Sequence, residues 1–293
     1  MTYETALGAS TRETITLLGH DLADDVMGEV GFGELAFWLA TQERPSRGQV
    51  RVFEAVLAAL ADHGFTPTAI VTRLTWLSAP DSVQGALAAG LLGGGSRFLG
   101  VTEDCGNFLH AVLADVERPA DEAGWDALAL ETVRARRAAG AFVPGLGHHV
   151  HKDGDPRTPR LMQIAREEGQ FGPHLELFAA IGRMHHEVLG RTLPLNGAGV
   201  CGAALADLGL PLPLLRGFAL LARTAGLIGQ LAEELRRPVG NDIFLSVDVN
   251  NVPVPPQPWS GGPAPRSRAD GGAQRSTGDH LPLIDGAGAE DGP

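Results

Sequence analysis

The chain has 293 residues, of which 44% are hydrophobic and 20% charged, so it can build one large globular domain or two modest ones. Its formal net charge of -12 argues against nucleic acid or an anionic membrane as a partner, and an anionic ligand would need a local basic pocket. The two cysteines, Cys105 and Cys201, form no Cys-x-x-Cys motif, which favours a reducing compartment over a disulfide framework. The sequence shows no signal-peptide pattern and no apolar run of about 18 residues. We therefore expect a soluble, cytoplasmic protein.

Apolar residues recur at helical spacing along most of the chain, as Val52, Val56 and Leu60 do. This periodicity predicts helices over residues 34–41, 50–61, 66–92 (interrupted near Pro80), 100–140 (split at 118–119), 160–168, 174–190 and 212–235. Residues 1–17 show no firm pattern, and the one clear strand signal is the β-branched and aromatic run Ile243–Val247. The fold is therefore predicted to be all-α.

The stretch Val143–Arg157 has the composition of a ligand-binding loop. Gly145 and Gly147 permit backbone shapes that most residues cannot adopt, and they let a ligand approach the main chain closely. His148 follows at once, and an imidazole titrates near neutral pH. Arg157 comes after a helix-opening Asp-Pro dipeptide, where its planar fork could hold a carboxylate. A glycine-flanked histidine is also a common turn residue, so the pattern alone leaves both interpretations open.

Two further residues stand at informative places in predicted helices. His63 follows the helix 50–61 and precedes Gly64, which can serve as a left-handed C-terminal cap. Arg223 lies in the middle of the apolar helix 212–235, and a buried arginine needs an anionic partner. That partner is either a side chain of the protein or a bound ligand.

The run Pro-Gly-Leu-Gly-His followed by Asp-Pro-Arg, residues 144–157, resembles the active-site loop of the citrate synthase family. Within that family it most resembles the citryl-CoA lyases and the citryl-CoA-cleaving module of ATP-citrate lyase. Four further stretches agree in the same order along the chain: Ala61–Gly64, Gly90–Phe98, Leu195–Gly202 and Ala222–Gly226. The similarity covers roughly residues 18–248.

The resemblance implies a citrate synthase-like fold in which a small helical domain is inserted into a large one. The implied large domain comprises residues 1–99 and 212–257, and the small domain residues 100–211. The resemblance also implies a homodimer whose interdomain cleft is completed by the partner subunit. Residues 258–293 are rich in Gly, Pro and Ser and have too little apolar surface to offset their ordering entropy, so we expect a disordered tail.

The resemblance also implies roles for individual residues, in three groups. Two histidines are the implied catalytic groups: His148 and His63. Four residues are implied to bind substrate: Arg157, Arg223, Arg237 and Asn196. Four more are implied to contact coenzyme A: Arg136, Arg137, Gly145 and Gly147. Simpler interpretations exist for several of them, since His63 could cap a helix, Arg136 and Arg137 could form a solvated helix face, and Arg237 could be an exposed helix-end cation.

Two departures from the family pattern bear on activity. Ala198 stands where the family has an aspartate that moves the proton on the acetyl carbon, and alanine cannot do so. A glycine, Gly93 or a neighbour, stands where citrate synthases have a catalytic histidine that citryl-CoA lyases also lack. The implied reaction is therefore cleavage of citryl-CoA, or of a related 3-hydroxy-3-carboxyacyl-CoA, to acetyl-CoA and oxaloacetate, or the reverse condensation. The alternative is a catalytically impaired member that binds CoA or a carboxylate as a regulatory or partner subunit.

The implied chemistry needs no permanently bound cofactor, because the coenzyme A thioester is itself the substrate. The histidines at 148, 149, 151, 185 and 186 show no His-x-x-x-His spacing, so the sequence predicts no metal site. The expected partners are citryl-CoA, or acetyl-CoA plus oxaloacetate, and a second copy of the chain.

Overall fold

The computed structural model describes residues 2–148 and 151–256; the predicted tail, residues 258–293, lies outside the described residues. Helices dominate the described part, and they are α1 Phe32–Thr41, α2 Arg47–Ala61, α3 Pro67–Ser78, α4 Val83–Leu92, α5 Gly100–Leu113, α6 Glu122–Ala138, α7 Arg157–Glu167, α8 Pro173–Leu189, α9 Gly197–Asp207, α10 Leu215–Glu234 and α11 Gly240–Asp248. The all-α prediction is confirmed.

A small antiparallel sheet precedes the helices, and its first two strands lie within residues 1–17, where the sequence showed no firm pattern. Its three short strands, β1 Gly8–Ser10, β2 Ile15–Leu17 and β3 His20–Asp21, pair in chain order. The register places Ala9 opposite Thr16. With only two or three residues per strand, too little alternation exists for the period-two pattern to be recognised.

The core forms where α2, α5, α8, α9 and α10 pack together, and α9 lies near its centre. Small residues allow this close packing, because a side chain on Gly202 of α9 would collide with the backbone carbonyl of Thr102 on α5. A side chain on Gly106 would likewise collide with Leu215. These contacts hold the N-terminus of α9, where the candidate site lies, in a fixed position.

The strand prediction for Ile243–Val247 is wrong, because these residues lie in the helix α11. The buried carboxylate of Glu234 caps this helix: its Oε1 accepts the N–H groups of Val239 and Gly240, at 3.0 and 2.7 Å. A side chain close in sequence thus satisfies two N–H groups at the start of the helix, which fixes its direction. Local β propensity does not outweigh this cap in the absence of a neighbouring strand.

The sequence has no uninterrupted apolar run of about 18 residues, yet one described helix has the length and composition of a membrane span. Among the described helices, the continuous helical segment Leu212–Glu234 is long and apolar enough by length and composition. Core helices of soluble proteins pass the same test, and one face of α10 packs on α2, α3, α4 and α5. Its buried residues include Arg223, Gln230 and Glu234, which bond to other elements of the fold.

The sheet and helices form one compact unit, Met1–Val249. Residues 250–256, the described part of the remaining unit, contain no helix or strand. The division into a large domain (1–99 and 212–257) and a small one (100–211) remains a prediction.

Candidate active site

A cavity of about 290 Å3 lies among the end of α2, the start of α5, the loop before α7, the start of α9 and the middle of α10. The basic side chains that line it are His63, Arg97, His148, Arg157 and Arg223. No acidic side chain lines it within the described part of the chain. The cavity is therefore suited to an anion, in a protein whose overall charge is strongly negative.

The loop that carries His148 is held by tight backbone packing. Gly145 adopts a φ of +82°, and an added Cβ would lie 2.7 Å from Phe178 and 3.0 Å from the Cα of Gly199. The N–H of Asn196 donates to the carbonyl of Gly145 at 2.9 Å, and its side-chain amide donates to the carbonyl of Gly147 at 2.8 Å. Gly145 thus has a packing role, whereas Gly147 and Asn196 line the cavity.

The ring of His148 is held in one orientation. Its Nδ1 accepts the backbone N–H of His151 at 2.9 Å, so in the neutral ring the proton belongs on Nε2. Nε2 lies 4.0 Å from Oδ2 of Asp155, and only 10% of the side chain is exposed. The inferred tautomer makes Nε2 a hydrogen-bond donor toward a ligand oxygen.

Behind this ring, a buried ion pair joins Asp155 and Arg157. The guanidinium donates from Nε to Oδ1 at 3.0 Å and from Nη2 to Oδ2 at 2.8 Å, and the N–H of Gly197 donates to Oδ2 at 2.7 Å. Burial opposes ionisation of Asp155, but the bonds from Arg157 and Gly197 outweigh it and lower the pKa of Asp155 to about 2. The carboxylate therefore stays ionised across the physiological pH range.

This ion pair leads to a prediction about acid stability. The folded-state pKa of Asp155 lies below its unfolded value, so the pair stabilises the fold above about pH 4, and this contribution is lost as the pH falls toward about 2. The contribution at neutral pH is about 2 kcal/mol. We expect urea unfolding to show Asp155→Asn less stable than the parent protein at pH 7, with the difference shrinking below about pH 4 and nearly gone at about pH 2. A difference that is constant with pH would contradict the assignment.

His63 lies just beyond α2, in a short turn. Asp62 ends the helix in an extended conformation, and its carboxylate accepts the N–H of Gly64 at 2.8 Å, while Gly64 takes a φ of +71°. Burial lowers the pKa of His63, and the nearby charges of Arg157, His151 and Arg223 lower it further. His63 is therefore neutral at neutral pH and faces the cavity instead of capping the helix.

Arg223 reaches the cavity from α10 and is only 5% exposed. Its Nε donates to the carbonyl of Ala61 at 3.0 Å, its Nη2 to that of Leu60 at 3.3 Å, and its Nη1 to the hydroxyl of Thr68 at 3.1 Å. No carboxylate within the described residues forms an ion pair with it. The negative end of the α2 dipole compensates part of its charge, and a bound anion would compensate the rest.

Three predicted residues lie away from this cavity. Arg136 donates from Nε to the carbonyl of Phe142 at 2.9 Å, and Arg137 donates to the carbonyl of Val188. Arg137 also lines a separate surface cavity of about 510 Å3 at the end of α6. Arg237 is exposed in the turn after α10. The predicted contacts of Arg136 and Arg137 with coenzyme A, and of Arg237 with substrate, remain predictions.

The structure also places at the site two residues to which the sequence pattern assigned no role there. Asp155 was expected only to start a helix, and α7 begins two residues later, at Arg157; Asp155 is instead the buried counter-ion of Arg157. Arg97 lines the cavity with an exposed side chain, next to Leu99, which takes a left-handed φ of +69°. The sequence feature that could have indicated the Asp155–Arg157 pair is their spacing of two residues, but this spacing is too common to predict an ion pair.

Comparison with known proteins identifies relatives of this chain. The family model described as the citrate synthase C-terminal domain matches residues 13–244. Among curated proteins, the chain is 27% identical over 201 residues to 2-methylcitrate synthase 1 of Corynebacterium glutamicum, covering 64% of this chain and 47% of that protein. The chain thus spans about half the length of the curated relatives that it matches.

Two solved structures share the fold. Citryl-CoA lyase from Hydrogenobacter thermophilus is 27% identical with a TM-score of 0.75, and the match covers 88% of this chain and 98% of that one. ATP citrate lyase from Methanothrix soehngenii, in complex with citrate and coenzyme A, is 20% identical with a TM-score of 0.71, and the match covers 88% and 42% of the two chains.

Proposed function

Since the chain belongs to the citrate synthase family, we propose that it is a carbon–carbon lyase that cleaves citryl-CoA, or a related 3-hydroxy-3-carboxyacyl-CoA, to acetyl-CoA and oxaloacetate. The observation that carries the proposal is the cavity, in which arginines and histidines converge with no acidic side chain among the described lining residues. The likeness to a citryl-CoA lyase over nearly the whole length of that protein supports the cleavage direction.

The substrate is rich in negative charge, and the cavity offers matching donors. Arg223 has only backbone carbonyls and hydroxyls as hydrogen-bond acceptors in the described structure, so it can form a charge-assisted bond with a substrate carboxylate. Arg97 lies at the cavity edge and can meet a second anionic group. Arg157 already forms a two-bond ion pair with Asp155. Its contribution to binding is therefore mainly to shape the cavity wall.

The proposed cleavage needs stabilisation of negative charge on two oxygens, the hydroxyl oxygen of the substrate and the enolate oxygen of acetyl-CoA. The hydroxyl of the substrate gives its proton to a water molecule, the carbon–carbon bond breaks to form the keto group of oxaloacetate, and the electron pair of that bond moves into the enolate of acetyl-CoA. The Nε2–H of His148 is oriented to donate to the oxygen that becomes the keto oxygen, while His63 orients the same fragment. The enolate then takes up a proton at its methyl carbon.

That last proton transfer is where this chain departs from its family. Ala198 lines the cavity at the start of α9, in the position that the family resemblance gives to an aspartate. Among the described residues, no carboxylate lines the cavity in its place. We propose that water supplies this proton, at a slower rate than a fixed carboxylate would.

A second function is favoured by the same observation. A pocket that keeps its cationic groups but lacks the proton-transferring carboxylate can bind a CoA ester or a dicarboxylate without turning it over. The chain would then be a binding or regulatory member of the family. Binding of oxaloacetate and coenzyme A in calorimetry, with no product detected, would favour this alternative.

The proposal is tested by incubating the protein with citryl-CoA and measuring acetyl-CoA and oxaloacetate. We expect both products in equal amounts. Arg223→Lys should raise KM by about ten- to a hundredfold, because lysine keeps the charge but loses the fork that bonds to a carboxylate. The matched control is Arg216→Lys on the same helix, since Arg216 pairs with Glu103 and does not line the cavity. Equal KM values in the two variants would count against a substrate contact by Arg223.

We also propose that the protein is a cytoplasmic homodimer. Exposed apolar side chains are numerous on the adjoining helices α3, α4, α10 and α11: Val71, Leu77, Val83, Leu92, Ile228, Phe244, Leu245 and Val247. Monomeric proteins rarely leave a large contiguous apolar surface in water. A single-chain mass in light scattering would contradict the dimer.

A further inference from the structure

Three histidines come together at one side of the cavity although they are far apart in sequence. His63 comes from the turn after α2, and His148 and His151 from the loop before α7. Their ring centroids are 5.9 Å apart for His63 and His148, 5.7 Å for His63 and His151, and 4.6 Å for His148 and His151. One ring nitrogen from each lies within 4.8 Å of the other two.

We propose that His63, His148 and His151 form a binding site for a divalent transition-metal ion of the zinc type. Three imidazoles with an open fourth position are a common ligand set for zinc, which imidazole nitrogen binds at about 2.0–2.1 Å. Regular spacing along the sequence does not indicate this site, because His63 comes from a separate turn far earlier in the chain.

The burial of the ligands favours the ion. All three histidines are partly buried, which limits the conformations lost on binding. The nitrogens, now within 4.8 Å of one another, must move closer, because three nitrogens around one tetrahedral zinc ion are about 3.4 Å apart.

Binding requires one hydrogen bond to be exchanged. The Nδ1 of His148 accepts the backbone N–H of His151, so the neutral ring has its proton on Nε2. Coordination through either nitrogen removes that bond, because Nδ1 then holds the metal or the proton. A metal-bound form should therefore have a different arrangement of the loop around His148, and Asp155, 4.0 Å from Nε2, would offset part of the added positive charge.

The positive charges of the nearby arginines disfavour binding of a metal cation, and this limits the affinity of the site. Arg157 is neutralised by Asp155, but Arg223 has no carboxylate partner among the described residues. The site is thus expected to take an ion reversibly. Because His63 and His148 line the cavity, a bound metal ion would lie in the part of the cavity next to these two rings.

The test is titration of untagged, chelator-treated protein with Co2+, which reports coordination through its visible absorption band. Wild-type protein should develop the band and saturate at one equivalent. His151→Ala, which removes a ligand that does not line the cavity, should weaken binding by at least about tenfold. His186→Ala is the matched control, since His186 is half-exposed beside Glu187 on α8, and it should bind Co2+ as the wild type does.

Circular dichroism of each variant verifies that it is folded, and His63→Ala provides a second variant, which removes the ligand from the turn after α2. Saturable binding that both ligand variants weaken supports the site. Absence of a saturable band in the wild type, or equal affinity in wild type, folded His151→Ala and folded His63→Ala, would overturn it. These outcomes do not depend on turnover of any CoA ester.

Discussion

Replacing His148 with alanine is expected to lower the rate of citryl-CoA cleavage by about two to four orders of magnitude, the usual effect of one acid–base or polarising group. The ring is oriented by the N–H of His151 and faces the cavity, so its loss removes the proposed donor to the developing keto oxygen. The fold should survive, because the loop is held mainly by Gly145 against Phe178 and by the bonds from Asn196.

The control for this variant is His186→Ala, which removes a histidine that is half-exposed and does not line the cavity. Its turnover should match that of the wild type. The His148 variant should keep its helical circular dichroism and its affinity for coenzyme A. Turnover at the wild-type rate in folded His148→Ala would remove this residue from the mechanism.

Replacing Ala198 with aspartate is expected to raise the rate of acetyl-CoA methyl-proton exchange by about two to four orders of magnitude, because it supplies the proton-transferring carboxylate that the family resemblance implies at this position. Ala198 lines the cavity, so the new side chain would extend into open space. The flanking glycines offer no room, since side chains at Gly197 and Gly199 would collide with Arg157 and Gly145. The nearby guanidiniums should keep the new carboxylate ionised.

The measurement is exchange of the acetyl-CoA methyl protons with deuterated water, with an oxaloacetate analogue bound. Ala198→Ser is the matched control, because it adds a polar atom at the same place without a base. Fast exchange in the parent protein would mean that another group already moves this proton. No exchange in folded Ala198→Asp with ligand bound would mean that the acetyl group does not reach residue 198. The binding alternative would then be favoured.

The sequence predicted the helices well where local signals are strong. Helix α2 begins with a capping box in which Ser46 and Gln49 bond to each other's backbone, and its apolar residues recur at regular spacing. Helix α8 likewise begins at a proline, Pro173, and ends at a left-handed glycine, Gly190. The sequence failed at β1–β3, where the strands are very short, and at α11, where a carboxylate from the preceding helix sets the conformation. It also did not predict α9, which begins in a glycine-rich segment.

The residues of the candidate site also divide into those that the sequence could predict and those that it could not. The glycines around His148 and the buried position of Arg223 could be inferred locally, and the resemblance to a known family supplied their roles. The pairing of Arg157 with Asp155 could not be inferred, because an arginine fork binds a protein carboxylate and a ligand carboxylate equally well. The approach of His63 to His151 depends on tertiary packing alone.

The C-terminal end of α2 constrains how this chain can change in length. Three consecutive carbonyls there accept bonds from two arginines: that of Ala59 from Arg157, and those of Leu60 and Ala61 from Arg223. Each inserted or deleted helical residue rotates the remainder of a helix by about 100°. A single-residue insertion or deletion in α2 would turn these carbonyls away from both guanidiniums at once, so length variation in this helix should be confined to changes near a full turn.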